Sequence, residues 1–259
     1  MKKVCLVLGA GAGIGGSVGK RFAREGYHAV LCRRSDEEGL NRMVAEIEDA
    51  GGSASGRLLN AADEGSIEEL VADVESTIGP IEVVLFNLGA QIGNRALGDT
   101  SYKAFELGWR LATFALFRIA SSVIPHMEAR GGGTLLVTSA TAAVRGNEGQ
   151  HSHAAAMGGR RMLCQTLNAE FASKGIHVAH VLIDGAVDAP DTLGKMLGPE
   201  NFAKLRDAKG KEQDGLMVPE HMAETYYHLA HQHRSAWTHV LDLRAFSDLA
   251  WWNHAPKLV

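Results

Sequence analysis

The chain contains 259 residues, of which 46% are hydrophobic and 22% are charged. This length and balance are typical of one large globular domain with an ample core, and they exclude a disordered or fibrous protein. The 26 Lys and Arg residues against 30 Asp and Glu residues give a formal net charge of −4. Because no sequence-wide positive field exists, binding to nucleic acid or to an anionic membrane is not expected.

The cysteines and the apolar segments bear on the compartment of the protein. Cys5, Cys32 and Cys164 are odd in number and far apart, which favours reduced thiols and predicts a cytoplasmic protein. The N-terminal apolar run gives way to glycines without a cleavage boundary, so a secretion signal is not expected. The stretch 111–124 is interrupted by Arg118 and two serines, and it therefore predicts a buried helix rather than a membrane span.

Short apolar runs with little polar alternation predict strands that are buried on both faces, as in a parallel sheet covered by crossover helices. In chain order the predicted strands are 4–8, 28–32, 83–86, 134–138, 176–183 and 239–243. Apolar residues at helical spacing predict helices at 16–25, 36–50, 66–77, 102–127 and 154–173. The predicted fold class is α/β, a single-domain doubly wound parallel sheet of the Rossmann type with helices on both faces.

One segment, 185–219, lacks this regularity and combines glycines, prolines and mixed charge. No repeat, low-complexity tract or linker interrupts the sequence, so the whole of 1–259 is predicted to form one dinucleotide-binding domain. The place of 185–219 after the 176–183 strand suits a mobile lid over the substrate. An ordinary surface excursion explains the segment equally well.

A glycine-rich segment follows the first predicted strand and precedes the first predicted helix. Such a turn lets main-chain amides approach a pyrophosphate at the N-terminus of the helix. The glycines fit a GxGxxG spacing at 11, 13 and 16, or a GxxxGxG spacing at Gly9, Gly13 and Gly15. Because the apolar run continues to Leu8, Gly9 suits the tight turn and the second register is preferred. The alternative to a dinucleotide site is a glycine-rich turn without a ligand.

The residues after the second strand bear on the choice of coenzyme. An NAD site commonly has a carboxylate there to bind the ribose 2′-hydroxyl group, whereas this chain has Cys32 followed by Arg33 and Arg34. Two guanidinium groups can form charge-assisted bonds to a 2′-phosphate, and the first acidic residue after Cys32 is Asp36. The sequence therefore favours NADP over NAD. The alternative is a pair of surface arginines that only solvates a loop.

Several motifs in order resemble those of the short-chain dehydrogenase/reductase family over nearly the whole chain. They are the glycine turn 9–15, Asn-Ala-Ala-Asp at 60–63, Phe-Asn-Leu-Gly at 86–89, the strand 133–139 that ends in Thr-Ser, and Ile-Asp-Gly at 183–185. The resemblance places Asn60 and Ala61 at the adenine, residues 87–89 at the adenosine ribose, and Gly185 and Val187 at the nicotinamide end. The coenzyme-binding residues so predicted are Gly9, Ala12, Gly13, Ile14, Gly15, Arg33, Arg34, Asn60, Ala61, Asn87, Leu88, Gly89, Gly185 and Val187.

The catalytic residues of the family are largely replaced. Alignment on the residues that precede the family's tyrosine places His153 at the tyrosine, Met157 at the lysine and Ala112 near the asparagine. Ser139 is the candidate for the catalytic serine. It precedes His153 by one residue more than the usual spacing, which implies either a shifted bulge or Ala140 in the serine's place.

Two functions of different class follow from this site. In the first, Ser139 polarises the oxygen of a small carbonyl or hydroxyl compound and His153 handles the proton, because an imidazole titrates near neutral pH. In the second, the chain is a catalytically silent NADP(H)-binding or scaffold protein, since a thioether at Met157 supplies no charge. His153 would then only form a hydrogen bond at the mouth of the cleft. The oxidoreductase is preferred because the nucleotide cradle is preserved.

Metal binding and assembly complete the expectations. The histidine groups at 151 and 153 and at 228, 231 and 233 lack acidic or cysteine ligands at a recognised spacing, so no metal site is predicted. In the resembled family the helices equivalent to 102–127 and 154–173 pair across a dimer axis, which implies a homodimer or homotetramer. A wholly internal core would give a similar apolar pattern.

Overall fold

A seven-stranded sheet forms the centre of the computed structural model, which describes residues 2–89, 95–210, 212 and 214–253. All neighbouring strands of this sheet are parallel, and their order is β3-β2-β1-β4-β5-β6-β7. The strands are β1 Val4–Leu8, β2 His28–Arg33, β3 Ser53–Leu58, β4 Ile81–Phe86, β5 Gly133–Ala140, β6 Ile176–Ile183 and β7 Val240–Leu243. The direction of winding reverses between β1 and β4, and a crevice at the carboxyl ends of these strands is the usual ligand site of such a sheet.

Helices follow most strands and cover both faces, which confirms the predicted α/β class. A π-helical turn at Arg110–Phe114 joins α4 to α5, and a second one at Pro190–Gly194 precedes α7. The helices are α1 Ile14–Arg24, α2 Glu37–Asp49, α3 Ser66–Thr77, α4 Tyr102–Trp109, α5 Ala115–Ala129, α6 His151–Phe171, α7 Lys195–Leu197, α8 Pro199–Lys209 and α9 Pro219–Ala230.

The structure differs from the predicted elements at four places, one of which is α9, in a stretch for which no element was predicted. β3 was not predicted, because Ser53–Leu58 is an edge strand of mostly small and polar residues. The predicted continuous helix 102–127 is divided by the π-helical turn. The segment 185–219 is more regular than expected, since α7 and α8 lie within it.

The side chains of β1 alternate between two apolar cores, one on each face of the sheet. Leu6 lies in the core that also contains residues of α3 and α5, and Val7 lies in the core formed with α1, α2 and α9. Cys5, Cys32 and Cys164 are all buried free thiols. Burial raises the pKa of the Cys32 and Cys164 thiols to about 12, so they pack as neutral apolar groups.

The segment Tyr102–Ala129 is long and apolar enough to cross a bilayer by length and composition, but half of its most apolar window is buried in the protein (50%). Arg118 within it is itself buried. Its guanidinium binds both carboxylate oxygens of Glu68 and donates to the Ala61 carbonyl oxygen at 2.9 Å. These contacts are those of a core helix, as predicted.

His180 on β6 is a buried imidazole that makes the free energy of unfolding depend on pH. The residue is 1% exposed, and neither ring nitrogen has a hydrogen-bond partner within the described ranges. Burial first, and then the charges of Arg161, Arg160 and His239, lower its pKa to about 3. The folded state therefore keeps His180 neutral at pH values where the unfolded chain, with an ordinary pKa near 6.5, binds a proton.

The free energy of unfolding should consequently fall as the pH drops below about 6.5, because the unfolded state then binds one more proton. This one group accounts for a loss of about 1.4 kcal/mol between pH 7.5 and pH 5.5. Urea denaturation of the protein and of the His180→Leu variant at both pH values measures the difference. An identical pH dependence in the two proteins would contradict the assignment.

Candidate functional site

A cleft of about 550 Å³ lies at the carboxyl edge of the sheet, beside the switch point between β1 and β4. Its walls come from the turns after β1, β2, β3, β4 and β5, from α6, and from the segment after β6. This volume is typical of small-molecule sites. The cleft is therefore where a ligand of this fold is expected.

The turn after β1 brings main-chain amides to the cleft. Gly9 follows the last strand residue and has a φ of +94°, a left-handed conformation that favours glycine. A Cβ atom at Gly9 would lie 2.7 Å from the carbonyl oxygen of Asn87, whose side chain donates to the Gly9 carbonyl oxygen at 3.0 Å. Helix α1 begins directly after Gly13, which provides no side-chain cap, so amides at its start can bind an anion. Gly9 is thus the turn glycine, in agreement with the preferred register.

An acidic side chain from the segment after β6 lies against this turn. Asp191 Oδ2 accepts a hydrogen bond from the Ala12 amide at 3.0 Å and another from Nη2 of Arg33 at 2.9 Å. The Ala12 hydrogen bond is the main cause that lowers the pKa of Asp191, and the charges of Lys195 and Arg33 lower it further. An ionised carboxylate therefore lies at the anion position of the glycine turn. Its contact with Ala12 spans 179 residues, and no sequence pattern indicates it.

The two arginines after β2 have different surroundings. The Arg33 guanidinium pairs with Asp191 at 2.9 Å and with Asp36 at 3.0 Å, and its side chain is 11% exposed. Arg34 is exposed at the mouth of the same cleft and forms no ion pair with any residue that the structure describes. Both predicted arginines thus line the cleft, but Arg33 is already paired with two carboxylates, whereas Arg34 has no ion-pair partner among the described residues.

Of the other residues predicted to bind the coenzyme, all but Gly185 line the cleft. Asn60, although it lines the cleft, directs its amide to Oδ1 of Asp63 at 2.7 Å within its own turn. Gly185 is not among the lining residues, and a Cβ atom there would lie 2.6 Å from Oδ2 of Asp248. The remaining predicted residues that line the cleft beside the glycine turn are Ile14, Ala61, Asn87, Leu88, Gly89 and Val187.

The predicted catalytic residues meet at the inner end of the cleft. Ser139, Ala140, His153 and Met157 all line it. β5 pairs with β6 in unbroken register through Ala140, so no bulge within the strand shifts Ser139, which lines the cleft itself. The buried Ser139 hydroxyl donates to Sδ of Met157 at 3.7 Å. A hydroxyl, an imidazole and a thioether are thereby brought together.

A buried arginine supports this inner end. Arg160 lies one turn after Met157 on α6 and is 1% exposed. Its guanidinium donates to the carbonyl oxygens of Ala112 at 3.0 Å, Thr138 at 2.5 Å and Leu88 at 2.7 Å. Burial lowers its pKa to about 10, so the group stays charged at neutral pH. Arg160 thus ties the ends of β4 and β5 to the π-helical turn, a role that sequence reasoning missed because burial of a charged residue leaves no pattern.

The C-terminal part of the described chain approaches the end of β6 through a second buried acid. Asp184 stands where the resembled family usually has proline, and it is 4% exposed. Its Oδ2 accepts hydrogen bonds from Nε of Arg244 at 2.9 Å and from the Trp251 amide at 3.0 Å. Arg145 donates to the Trp251 carbonyl oxygen at 3.0 Å. Trp251 is therefore held near the loop that follows β6, although it does not line the cleft.

Two of the histidines in these groups, His231 and His233, have ordinary hydrogen-bond partners. His231 contacts the hydroxyl of Tyr27 at 3.2 Å and the carbonyl oxygen of Tyr227 at 2.7 Å. His233 contacts the hydroxyl of Ser235 at 2.7 Å. Within the described residues no group of three or more His, Cys, Asp or Glu side chains could hold a metal ion.

Comparison with known proteins agrees with the glycine turn and the sheet order. Residues 3–192 match the family model described as short chain dehydrogenase. The chain belongs to the short-chain dehydrogenase family. This assignment confirms the resemblance seen in the sequence motifs, and it makes the chain a member of an oxidoreductase family.

Solved structures of other short-chain dehydrogenases share the fold. A short-chain dehydrogenase from Rhodopseudomonas palustris is 32% identical, with a TM-score of 0.76 over 93% of this chain and 97% of that chain. A 7α-hydroxysteroid dehydrogenase complexed with NADH and 7-oxo glycochenodeoxycholic acid is 24% identical, with a TM-score of 0.81 over 94% and 95%. L-sorbose reductase from Gluconobacter frateurii, complexed with NADPH and L-sorbose, is 22% identical, with a TM-score of 0.80 over 96% and 98%.

Proposed function

We propose that this short-chain dehydrogenase binds NADP(H) in the cleft and transfers hydride to or from a carbonyl or hydroxyl group of a small molecule. The observation that carries this proposal is the hydrogen bond from the Ala12 amide to the carboxylate of Asp191 at 3.0 Å. The carboxylate is a stand-in for a phosphate oxygen, and the bond indicates that the glycine turn fits an anion. The family assignment supports a nicotinamide coenzyme, which supplies or accepts the hydride when bound.

The residues of this chain would hold the coenzyme in sections along the cleft. The amides from Ala12 to Gly15 would bind the diphosphate at the start of α1, with Asn87 bracing the turn through Gly9. Asn60 and Ala61 would flank the adenine, residues 87–89 the adenosine ribose, and Val187 the nicotinamide end. Gly185, outside the lining residues, remains predicted at that end from the resemblance alone.

Preference for NADP(H) over NAD(H) is proposed from Arg34. This exposed guanidinium at the mouth of the cleft has no carboxylate partner among the described residues, so a 2′-phosphate would gain a charge-assisted hydrogen bond there. Arg33 would contribute less, because Asp36 and Asp191 already neutralise it. NAD(H) lacks the 2′-phosphate and gains nothing from Arg34.

NADPH is therefore expected to raise the melting temperature of the protein more than NADH at equal concentration. The Arg34→Leu variant should bind NADPH about tenfold or more weakly, because it loses a hydrogen bond to a charged group, and should bind NADH unchanged. Calorimetric titration with both coenzymes measures this. Arg42→Leu on α2, whose side chain is 68% exposed and outside the cleft, is the matched control. Equal affinities for NADPH and NADH in the unaltered protein would remove the preference.

Proton transfer in this proposal rests on His153, with Ser139 as the group that polarises the substrate oxygen. The Ser139 hydroxyl points to a thioether, which is a weak acceptor, so it can turn to a carbonyl oxygen at little cost. The imidazole of His153 lines the same end of the cleft. An imidazole can serve as a general acid or base without the cation that a phenol requires. The proposed proton relay therefore uses neither a tyrosine nor a lysine.

The second candidate function is a catalytically silent NADP(H)-binding or scaffold protein. It is favoured by Met157, which is 2% exposed at the inner end of the cleft and carries no charge. Both candidates predict coenzyme binding, and only the first predicts oxidation of NADPH in the presence of small carbonyl compounds. Spectrophotometric assay at 340 nm against a panel of ketones and aldehydes separates them.

We also propose that the protein forms a homodimer or homotetramer. Its buried free thiols suggest a reducing, cytoplasmic setting. A stacked row of aromatic side chains on α4, the π-helical turn and α5 is partly exposed: Trp109 packs on Phe114 at 5.4 Å, and Phe114 on Phe117 at 6.5 Å. Exposed aromatic patches of this kind are typical of subunit interfaces. Sedimentation velocity should show a species larger than the 27.7 kDa chain, and a monomer at all concentrations would contradict this proposal.

A further inference from the structure

The segment after β6 places the carboxylate of Asp191 where the diphosphate of the proposed coenzyme would bind. This segment, here called the Asp191 segment, comprises the π-helical turn Pro190–Gly194 and α7. Asp191 Oδ2 accepts hydrogen bonds from the Ala12 amide and from Arg33 Nη2. The Cβ atom of Ala189, just before the segment, lies only 2.9 Å from the position of a Cβ atom built on Gly13. The segment is thus packed directly on the glycine turn.

The charges around Asp191 are nearly balanced without a ligand. Its Oδ2 pairs with Arg33 at 2.9 Å, and its Oδ1 lies 3.5 Å from Nζ of Lys195. Hydrogen bonding to Ala12 and these two cations keep its pKa below the ordinary range, so it is ionised at neutral pH. A diphosphate oxygen would need the same amide. Two anions cannot share one amide hydrogen, and their mutual repulsion in a cleft is unfavourable.

We propose that Asp191 is an intramolecular competitor of the coenzyme diphosphate and sets the affinity of the cleft for the coenzyme. Binding displaces the carboxylate from Ala12 and moves the Asp191 segment, with Lys195 on α7, away from the glycine turn. Arg33 keeps its ion pair with Asp36. The apparent affinity is then the intrinsic affinity multiplied by the fraction of molecules in which Asp191 has left the turn. This inference rests on the proposed function, because it assumes that the cleft binds a dinucleotide.

The segment is built for such a displacement. α7 has only three residues, and Met196 within it is 61% exposed. Behind it, α8 is anchored separately: Phe202 is buried, and Arg206 pairs with Asp188 at 2.7 Å. The acid can therefore leave Ala12 without unfolding α8.

Calorimetric titration of NADPH and NADH into the unaltered protein and into Asp191→Asn and Asp191→Ala tests the proposal. Both variants should bind both coenzymes about ten- to a hundredfold more tightly, as expected if 90 to 99% of the molecules have the carboxylate on the turn. Asp188→Asn is the matched control, because Asp188 is an acid of the same loop that pairs with Arg206 and does not line the cleft. Its affinities should equal those of the unaltered protein.

The two possible failures are distinguishable. If the unaltered protein binds coenzyme and neither Asp191 variant binds it more tightly, the competitor role is overturned and the proposed function stands. If none of the four proteins binds either coenzyme, the proposed function fails as well. Binding that appears only in the Asp191 variants supports both. Because Asp191 is a partly exposed side chain, its replacement should leave the protein folded. The melting temperature of each variant without coenzyme checks this.

Discussion

Replacement of Arg160 by Met is expected to lower the free energy of unfolding by about 3 to 5 kcal/mol, because three buried carbonyl acceptors each lose a donor at about 1 kcal/mol or more. The substitution takes the donor away from three carbonyl oxygens at once, those of Leu88, Thr138 and Ala112. Each buried acceptor without a partner is costly. Urea denaturation, followed by circular dichroism, measures the change.

Two further variants identify the cause of that loss. Arg160→Lys keeps the charge but lacks the planar fork, so it should lie between Met and the unaltered protein. Arg110→Met is the control, because Arg110 pairs with Glu106 on the surface and the Arg110 side chain is 48% exposed. This control should change stability by less than about 0.5 kcal/mol. An Arg160→Met midpoint equal to that of the unaltered protein would show that the three carbonyl groups find other donors.

The position of Arg160 also gives the inner end of the cleft its electrostatic character. Among the described residues the guanidinium has no carboxylate acceptor, and it lies 4.9 Å from the centre of the Phe86 ring. Carbonyl dipoles and an aromatic face stabilise the cation without neutralising it. A positive charge therefore persists one turn from Met157, the residue that itself supplies none.

The sequence predicts the central strands well because their physical signal is strong. β1, β2, β4, β5 and β6 are apolar runs covered on both faces, and all five were predicted within a few residues of their observed bounds. β3 carries little of this signal, since an edge strand buries less and can consist of residues such as Ser53 and Gly56. Helix α8 was missed although Pro199 at its first position is a recognised start signal. Its mostly exposed residues show weak periodicity.

Apart from the residues that the family resemblance supplied, the candidate site was predictable where it depends on a local turn. Gly9 and the helix start after Gly13 follow from a short segment, and the structure agrees with that register. The ion pair between Arg33 and Asp191 joins residues 158 positions apart, and the Arg160 contacts reach three separate elements. Such contacts depend on tertiary packing, for which one sequence contains no periodic signal.

The His153→Phe variant is expected to lose about 10²- to 10⁴-fold in turnover on any carbonyl compound that the protein accepts, the usual contribution of one acid or base group. The phenyl ring fills the site but cannot carry a proton. His151→Phe is the matched control, because His151 lies on the same turn of α6 but is exposed and outside the cleft. Steady-state assay with NADPH measures both variants. Equal turnover in His153→Phe and the unaltered protein would assign the proton to another group.

Replacement of His153 by Tyr should not by itself maintain the turnover of the unaltered protein, because a phenol with a pKa near 10 needs a neighbouring cation to transfer its proton at neutral pH. Adding Met157→Lys to His153→Tyr supplies an ammonium group at the spacing of the family. The control is the double variant His153→Tyr with Met157→Leu, which has no charge at that position. Turnover of the lysine double variant should be at least about tenfold higher than that of this control. The new cation lies one turn from the buried Arg160, so the double variant should also be less stable than the leucine control through like-charge repulsion. If the lysine lowers stability and turnover does not rise, the cleft lacks more than its proton relay, and the silent coenzyme-binding function becomes the better account.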